Sequence, residues 1–447
     1  MASFSAAEVV QATGARVVRA GSQAFGAVCT DTRKLTPGCL FVALRGERFD
    51  AHEFLAQAVA GGAAGVLVDR PVGALDAAVF QVDDTLAALG ALARFHRERF
   101  SLPVVAVTGS NGKTTTKELV AAILSTRGPA LKTQGNLNNE VGVPLTLFGL
   151  EPAHVAAVIE LGMNHAGEIA RLTAMAKPDA GLITIVQPAH LEGLGSIEGV
   201  AAAKGELFHG LAPGATAVVN LDDARIAAQA EGLQTRRLTW GQHPDAEVRL
   251  AGVEPRGREG QRLRIAVRGE VHAVSLRLVG AHNALNAVGA FALALAVGYS
   301  PAECVRGLEA AESHARRLQV LDAPGGVTVI DDCYNANPAS MEAALRTLSS
   351  LAAGGRAVAV LGDMLELGAE EADAHARIAR LAGELAPLVA LVGLRMQRAG
   401  GPLQSFEDVE PLLTWLRPRL EAGDWVLVKA SRGMKLERVV NALTGAH

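Results

Sequence analysis

The sequence predicts an α/β protein of three domains, and three observations lead to this prediction. The chain has 447 residues, a length that roughly three domains of ordinary size would fill. Short β-branched apolar runs alternate with segments of helical periodicity after Pro103 and again after Val327, which is typical of parallel sheets with crossover helices. We therefore expect an N-terminal α/β domain at 1–100, a central parallel-sheet domain at 101–315 and a C-terminal, Rossmann-like doubly wound domain at 316–447.

The composition argues against several classes of partner. The formal net charge is −4 and aromatic residues make up 4% of the chain, so we expect neither a basic surface nor base-stacking platforms. No signal peptide or membrane-spanning run is evident. We expect a cytoplasmic monomer that acts on small molecules, with no nucleic acid and no membrane partner. The four cysteines show no CxxC spacing and are expected to be reduced thiols: Cys29, Cys39, Cys304 and Cys333.

The first domain alternates strands and helices around a polar cluster. Its predicted elements are a helix at Ser5–Thr13, strands in CLFVAL, GVLVD and AVFQVDD, and a helix at Thr85–Arg99. Between the first helix and CLFVAL lie Thr30, Asp31, Thr32 and Arg33, which could hold a phosphate-bearing ligand because a guanidinium and loop N–H groups suit a diphosphate. The alternative is an ordinary polar loop in which Asp31 and Arg33 form a surface ion pair.

A glycine-rich loop at the start of the central domain carries the strongest functional signal. The run VVAVTGSNGKTTT leads from a β-branched strand through Gly109, Ser110, Asn111 and Gly112 into a helix that begins with three polar residues: Lys113, Thr114 and Thr115. Loop N–H groups and the helix N-terminus favour a phosphate, the lysine can reach the terminal phosphates, and Thr114 is suited to Mg²⁺. The alternative is a helix start after a buried strand.

Two polar residues follow neighbouring strands of the same domain. Glu160 ends the apolar run Val155–Glu160, and His190 lies shortly after the apolar run Gly181–Val186. Because ligand sites lie at the carboxyl ends of parallel strands, both are expected at the same edge as Lys113 and could hold Mg²⁺. Taken alone, His190 could equally be a loop or capping histidine.

Lys204 and a pair of asparagines are the other candidates in this domain. Lys204 lies on a helix of small residues, where a lysine is usually solvated. The region from Trp240 to Gly280 alternates apolar and polar residues and predicts a small antiparallel insert. Asn283 and Asn286 then share one face of a long alanine-rich helix, as an N-cap and a surface residue or as readers of a nucleobase edge.

The third domain combines acids at one strand end with cations at another. The strand Val327–Asp332 ends in two acids, and the last predicted strand runs into the cationic loop Lys429–Lys435. This combination suits a ribose and a phosphate or carboxylate, with structural salt bridges as the alternative. The other strands are predicted at Arg356–Leu361, Pro387–Val392 and Asp424–Val428.

Several motifs in order along the chain resemble the Mur ligase superfamily. They are TGSNGKTTT, GNLNNEVGVP, IELGMNHAGEI, HLEGLGSIEGVAAAKGEL, GAHNALNA, IDDCYNANPASM and LVKASRGMKLE, with TDTR and FVALRGERFDAHEF in the first domain. Within the superfamily the pattern most resembles the member that adds a D-alanyl-D-alanine dipeptide to UDP-N-acetylmuramoyl-tripeptide. The resemblance implies an ADP-forming ligase of peptidoglycan precursor synthesis that uses ATP and Mg²⁺ and works through an acyl phosphate.

The resemblance also implies roles for individual residues. Lys113, Glu160, His190 and Lys204 would be catalytic, and Lys204 would be carbamylated and hold metal together with Thr114, Glu160 and His190. The nucleotide would contact Gly109–Thr115, Asn283, Asn286, Arg317 and Asp332. The two substrates would contact Thr30–Arg33, Asn138 and Asn335.

Two kinds of alternative stay open at the level of sequence. Another ligase of the superfamily is possible, either the one that adds the third peptide residue or folylpolyglutamate synthase, although YNANPASM and NLNNEVGVP favour the dipeptide-adding member. From a different class, a P-loop kinase or a nucleotide switch would also use the glycine-rich loop.

Overall fold

A computed structural model describes residues 2–46, 49–188 and 191–445, without the side chains of residues 191, 192 and 369. Within these ranges the strands form three large sheets and one short two-stranded pair. None of the helices found there is long and apolar enough to cross a membrane. The four cysteines are buried and free.

The first sheet has five strands in the order β2-β7-β6-β5-β4 and is parallel except for β2. The elements of this region are β1 Phe4–Ser5, α1 Ala6–Thr13, β2 Arg16–Arg19, β3 Ala24–Phe25, β4 Val28–Cys29, β5 Leu40–Val42, α2 Leu55–Ala60, β6 Gly65–Val68, β7 Ala78–Gln81 and α3 Thr85–Arg97. Helix α1 begins with a capping box in which the Ser5 hydroxyl and the Glu8 carboxylate accept from each other's backbone N–H groups.

The second sheet has nine strands in the order β16-β15-β14-β13-β12-β11-β8-β10-β9, all parallel from β9 to β14. Its strands are β8 Val104–Thr108, β9 Ala130–Lys132, β10 Ala156–Glu160, β11 Ala180–Ile183, β12 Thr216–Asn220, β13 Arg236–Gly241, β14 Val248–Pro255, β15 Gln261–Val267 and β16 Glu270–Leu276. The accompanying helices are α4 Lys113–Leu124, α5 Gly142–Leu147, α6 Glu168–Ala176, α7 Leu191–Leu194, α8 Ile197–His209, α9 Ala224–Gln229, α10 Ala281–Ala296 and α11 Pro301–Ala310.

The third sheet has six strands in the order β17-β18-β22-β19-β20-β21, parallel except for β17. The elements are β17 Gln319–Ala323, β18 Val327–Asp332, α12 Pro338–Leu351, β19 Arg356–Gly362, α13 Glu371–Leu385, β20 Leu388–Val392, α14 Leu394–Ala399, β21 Gln404–Phe406, α15 Val409–Leu416, β22 Asp424–Lys429 and α16 Glu437–Thr444.

The structure refines the predictions in two places. The predicted antiparallel strands are present, but β14 pairs in parallel with β13, so they extend the central sheet and do not form a sheet of their own. The strand predicted at Gly181–Val186 is β11, which begins at Ala180 and ends at Ile183. It ends early because the next backbone groups bond to the glycine-rich loop: Ile185 O accepts from Ser110 N.

The central sheet places the helix of the glycine-rich loop under α10 and α11. Phe291 and Leu293 of α10 and Ile123 of α4 are fully buried in one core. The approach of α11 to α4 is close, because a Cβ added at Gly307 would lie 2.4 Å from Ile123 Cα. A glycine is therefore required at this crossing.

Substituting Gly307→Ala should lower the free energy of unfolding by about 1–3 kcal/mol, because the new methyl group meets the backbone of α4. The matched control is Gly383→Ala, at an exposed helical glycine of α13 whose added Cβ would find only an ordinary contact with Leu403. That change should raise stability by about 0.5–1 kcal/mol. Guanidinium denaturation measures both, and equal stability of the two variants would contradict the packing argument.

Candidate active site

Two glycines give the loop between β8 and α4 its shape. Gly109 and Gly112 have φ angles of +147° and +83°, which L side chains rarely adopt. A Cβ at Gly109 would lie 1.8 Å from Thr184 Oγ1, and one at Gly112 would lie 2.4 Å from Asn286 Oδ1. The loop is therefore pressed against both neighbours, and its glycines are needed for space as well as for conformation.

The chain that follows β11 fixes the glycine-rich loop. Ser110 Oγ donates to Gln187 O and accepts from Gln187 N, both at 2.9 Å. Thr184 Oγ1 donates to Asn111 O at 2.5 Å, and Asn111 Nδ2 donates to Gln187 Oε1 at 2.6 Å. The loop is thus preorganised by hydrogen bonds that do not depend on a ligand.

Lys113, the first residue of α4, lies over the loop. Its Nζ donates to Gly109 O at 2.7 Å and lies 3.5 Å from Ser110 O. Burial lowers the pKa of Lys113, the Glu160 carboxylate counteracts this, and the Arg317 guanidinium lowers it further. The ammonium group therefore lies within electrostatic reach of both side chains. Thr115 lies on the same first turn of α4 and is partly exposed.

Glu160 ends β10, the strand next to β8, and is 2% exposed. Its Oε1 accepts from Asn138 Nδ2 at 2.8 Å and its backbone N donates to Thr133 Oγ1 at 2.9 Å. The other carboxylate oxygen, Oε2, is buried and has no hydrogen-bond partner among the described residues. A buried carboxylate oxygen without a partner is costly and indicates a place for a cation or a donor.

Lys204 is 2% exposed on α8. It forms no hydrogen bond or ion pair with any residue that the structure describes. Burial lowers its pKa well below the usual range for lysine, and the nearby charge of Lys113 lowers it further. The expectation that Lys204 is solvated, as a lysine on a helix usually is, is therefore wrong. His190, the other predicted metal ligand, lies outside the described residues.

Residues of the third sheet region reach the glycine-rich loop. Arg317 Nη2 donates to Thr114 Oγ1 at 3.2 Å, while its Nε is buried and has no partner in the described chain. The guanidinium carbon lies 4.0 Å from the ring centre of Tyr334, a cation–π contact. Asn337 Nδ2 donates to Asn111 Oδ1 at 2.9 Å. The two regions therefore meet at the loop itself.

Asn283 and Asn286 lie on the buried face of α10. Asn283 Nδ2 donates to Val279 O at 2.8 Å, and Asn286 Nδ2 donates to Asn283 Oδ1 at 3.0 Å. The N-cap and surface alternative is wrong, because Gly280 is the N-cap and both amides are buried. Asn286 instead contacts the glycine-rich loop at Gly112.

Asp332, at the end of β18, belongs to a buried charge pair. Its Oδ2 accepts from Lys429 Nζ at 2.6 Å, its Oδ1 accepts from Leu318 N at 3.2 Å, and Lys429 also donates to Asn335 O at 2.9 Å. Burial lowers the pKa of His282, which Asp332 partly offsets. The salt-bridge alternative for these acids and cations is thus realised in this structure.

The predicted substrate residues lie in three places. In the first region Asp31 accepts from the backbone and side chain of Arg33, whose side chain is mostly exposed, so the surface-pair alternative holds in this structure. Thr30 precedes this pair, and Thr32 lies between its two members. Asn138 holds Glu160, and the exposed Asn335 lies in the loop between β18 and α12.

Several residues that contact the site were not predicted from the sequence. Asn337 had a readable signal, since Asn-Pro is a typical helix start and Asn337 is the N-cap of α12. No sequence signal marked three other residues, Thr133, Thr184 and Gln187, because their hydrogen-bond partners are distant in sequence. Lys117 was readable in part, since it shares the buried face of α4 with Val120 and Ala121.

Comparison with known proteins identifies the family. The Mur ligase middle domain matches residues 107–294, and the Mur ligase glutamate ligase domain matches residues 316–432. The UDP-N-acetylmuramoyl-tripeptide–D-alanyl-D-alanine ligase of Escherichia coli (strain K12) is 41% identical over 427 residues, 93% of each chain. The chain belongs to the Mur ligase family, among the UDP-N-acetylmuramoyl-tripeptide–D-alanyl-D-alanine ligases.

Solved Mur ligase structures agree with this assignment. MurF from Acinetobacter baumannii superposes with a TM-score of 0.92 at 34% identity, covering 100% of this chain and 99% of the other. MurF from Thermotoga maritima, solved in complex with ADP, superposes with a TM-score of 0.86 at 27% identity, covering 94% and 97%. The family resemblance and the predicted three-domain α/β fold are confirmed.

In this Mur ligase, Lys429→Met should lower the free energy of unfolding by about 3–5 kcal/mol, because Asp332 is left as an uncompensated buried charge. Guanidinium denaturation checks this, with the exposed Lys435→Met as the matched control. The double variant Asp332→Asn/Lys429→Met should recover most of the loss. A single variant as stable as the control would show that the pair carries no such charge penalty.

Proposed function

We propose that this Mur ligase joins D-alanyl-D-alanine to UDP-N-acetylmuramoyl-tripeptide with ATP, in peptidoglycan precursor synthesis in the cytoplasm. The observation that carries the proposal is the placement of Glu160 at the end of β10, next to the strand that leads into the glycine-rich loop and Lys113. One of its buried carboxylate oxygens has no partner among the described residues. The Escherichia coli relative named above, matched over 93% of each chain, carries the two substrates in its name.

The glycine-rich loop is the proposed phosphate site. The backbone N–H groups of 111–115 and the N-terminus of α4 provide the donors, since the N–H of Ser110 is bonded to Ile185 O. Lys113, which now bonds the loop carbonyls, can turn toward the terminal phosphates. Support comes from the Thermotoga maritima relative, which was solved with ADP. Asn286 and Arg317 adjoin this loop, and Asn283 bonds Asn286. All three are proposed nucleotide contacts, with Asp332 on the ribose.

The residues present also fit a divalent cation. Glu160 Oε2 is a carboxylate oxygen without a donor, and the Thr114 hydroxyl lies at the loop, so both are proposed Mg²⁺ ligands together with His190. Bound Mg²⁺ would supply charge neutralisation for the phosphate oxygens. Hard oxygen ligands of this kind suit Mg²⁺ better than a soft metal.

The chemistry explains why phosphoryl transfer is needed. A free carboxylate is a poor acyl donor, so the terminal carboxylate oxygen of the tripeptide attacks the γ-phosphorus of ATP and ADP leaves. The dipeptide amine then attacks the carbonyl carbon of the acyl phosphate, and the tetrahedral intermediate expels phosphate to leave the amide. Lys113 would stabilise the transferring phosphoryl group by charge and position. Arg317 and Asn337, packed against the loop, help to exclude water, which would hydrolyse the acyl phosphate.

Lys204 is the proposed site of carbamylation. Burial without a counter-charge among the described residues lowers the pKa of its amine, so the neutral form that attacks CO₂ is easier to reach than in an exposed lysine. The new N–C bond gives a carbamate anion, and one proton passes to solvent. The carbamate would convert a repulsive neighbour of Lys113 into an anion able to hold the metal or its waters.

Each of the three sheet regions is proposed to have its own function. We assign UDP-substrate binding to 1–100, with Thr30–Arg33 as contacts, ATP binding to 101–315, and closure over the nucleotide to 316–447. Asn138 and Asn335 would contact the peptide substrates. The protein would act as a monomer.

The first test measures ADP and phosphate release by the purified protein. Release should require both UDP-N-acetylmuramoyl-tripeptide and D-alanyl-D-alanine in the presence of ATP and Mg²⁺, because the acyl phosphate is consumed only by the amine. The control reactions replace this pair with the substrates of the third-residue-adding ligase or of folylpolyglutamate synthase. Release that needs neither peptide substrate would instead indicate a nucleotide switch, and a stable phosphorylated product would indicate a kinase.

Substituting Lys204→Ala should abolish ligase activity, and short carboxylates should restore part of it by replacing the carbamate. Wild-type protein equilibrated with ¹³C-bicarbonate should also show a carbamate resonance that Lys204→Ala lacks and that Lys177→Ala, at a more exposed lysine, retains. Full activity of Lys204→Ala without added carboxylate would remove the proposed role.

A further inference from the structure

A buried lysine outside the reaction scheme lies one helical turn after Lys113. Lys117 is 1% exposed on α4, yet its Nζ donates to Thr133 O at 2.8 Å and forms an ion pair with Glu118 Oε1 at 2.6 Å. Burying an ammonium group costs free energy unless its charge is paired and its N–H groups are hydrogen-bonded. Lys117 therefore holds the chain at Thr133 firmly against α4.

Thr133 lies directly after β9 and is fully buried. Its backbone N donates to Val158 O at 3.2 Å, and its Oγ1 accepts from Glu160 N at 2.9 Å. A side-chain oxygen thus takes the place of a main-chain carbonyl at the end of the ladder between β9 and β10. On this side of β10 the backbone N–H of Glu160 donates to the Thr133 hydroxyl, while on the other side β10 pairs with β8.

The same loop also holds the carboxylate of Glu160. Asn138, a few residues after Thr133, donates from Nδ2 to Glu160 Oε1 at 2.8 Å. One oxygen is therefore fixed while the other, Oε2, is left buried and without a partner in the described chain. The direction in which Oε2 points is set by Thr133 at the backbone and by Asn138 at the carboxylate.

Glu118, the residue after Lys117 on α4, links this helix to β9. Its carboxylate pairs with Lys117 and with Lys132 at the end of β9, and His314 lies 3.9 Å away. Burial would raise the pKa of Glu118, but its hydrogen bonds to the two lysines lower it below the usual range. The cluster of Glu118, Lys117 and Lys132 thus contains charges of both signs and bridges α4 and β9.

We infer that Lys117 and Thr133 are positioning residues for Glu160. Lys117 fixes the carbonyl of Thr133, the Thr133 hydroxyl fixes the backbone of Glu160, and the free oxygen of Glu160 is thereby aimed at the divalent cation. The inference rests on the proposed function in that Glu160 holds this cation. Groups that orient a metal ligand in this way typically change metal affinity about 10–100-fold when they are removed.

The test compares isosteric variants by Mn²⁺ binding, followed by electron paramagnetic resonance in the presence of a non-hydrolysable ATP analogue. Thr133→Val removes the hydroxyl and keeps the shape, so Mn²⁺ affinity should fall about tenfold. Thr133→Ser keeps the hydroxyl and should stay close to wild type. The matched control is Thr173→Val, at a fully buried threonine of α6 whose hydroxyl bonds only its own helix at Ile169 O.

A second variant keeps the test independent of folding. Lys117→Met should also weaken Mn²⁺ binding, and Lys117→Met/Thr133→Val should be no weaker than the worse single variant, because both act through Glu160. Melting temperatures of the metal-free proteins identify a general loss of structure. Wild-type binding that survives Thr133→Val unchanged would overturn this inference alone. A wild-type protein that binds no Mn²⁺ would overturn the metal role of Glu160 and the inference with it.

Discussion

The site depends on two buried charge-bearing groups that the described chain leaves incompletely neutralised. Among the described residues, Glu160 keeps one carboxylate oxygen without a donor and Lys204 keeps an amine without a counter-ion. The charge of Lys113 interacts with both side chains. Each arrangement is unfavourable for stability alone, because a buried charge without a partner costs several kcal/mol. Such an arrangement is tolerated where ligands supply the missing charges. A phosphate chain would bring negative charge, and a divalent cation would bring positive charge.

The sheet order explains why these groups meet. Strand β8 has β10 on one side and β11 on the other, so the chain passes from one side of β8 to the other between β10 and β11. Parallel sheets open a crevice at the carboxyl ends of strands where the direction of winding changes. The glycine-rich loop leaves β8 at this point, Glu160 ends β10 beside it, and the chain after β11 bonds the loop at Ser110. Topology brings together groups that are far apart in sequence.

The parts of this arrangement that local patterns govern could be predicted. The glycine-rich loop between a strand and a helix, the ends of β10 and β18 and the antiparallel strands follow from periodicity and glycine placement. The environment of Asn286 could not be predicted. An asparagine in a helical sequence gives the same pattern whether it caps the helix, faces solvent or contacts Gly112 across the domain core. Thr133 was equally hidden, since its importance comes from a bond to Glu160, 27 residues later. Contacts between distant segments decide such cases, and one sequence contains no direct record of them.

Helix α4 joins the chemistry to the domain arrangement. Its first turn presents Thr114 to Arg317, which is 203 residues away, and its second turn presents Glu118 to His314, three residues before that arginine. The segment that leads into the third sheet therefore contacts the same helix twice, once at the phosphate loop and once at the cluster behind Glu160. Because a helix is stiff over two turns, a displacement of this segment cannot alter one contact and leave the other unchanged. The proposed closure over the nucleotide and the proposed alignment of Glu160 as a metal ligand would thereby be coupled through α4.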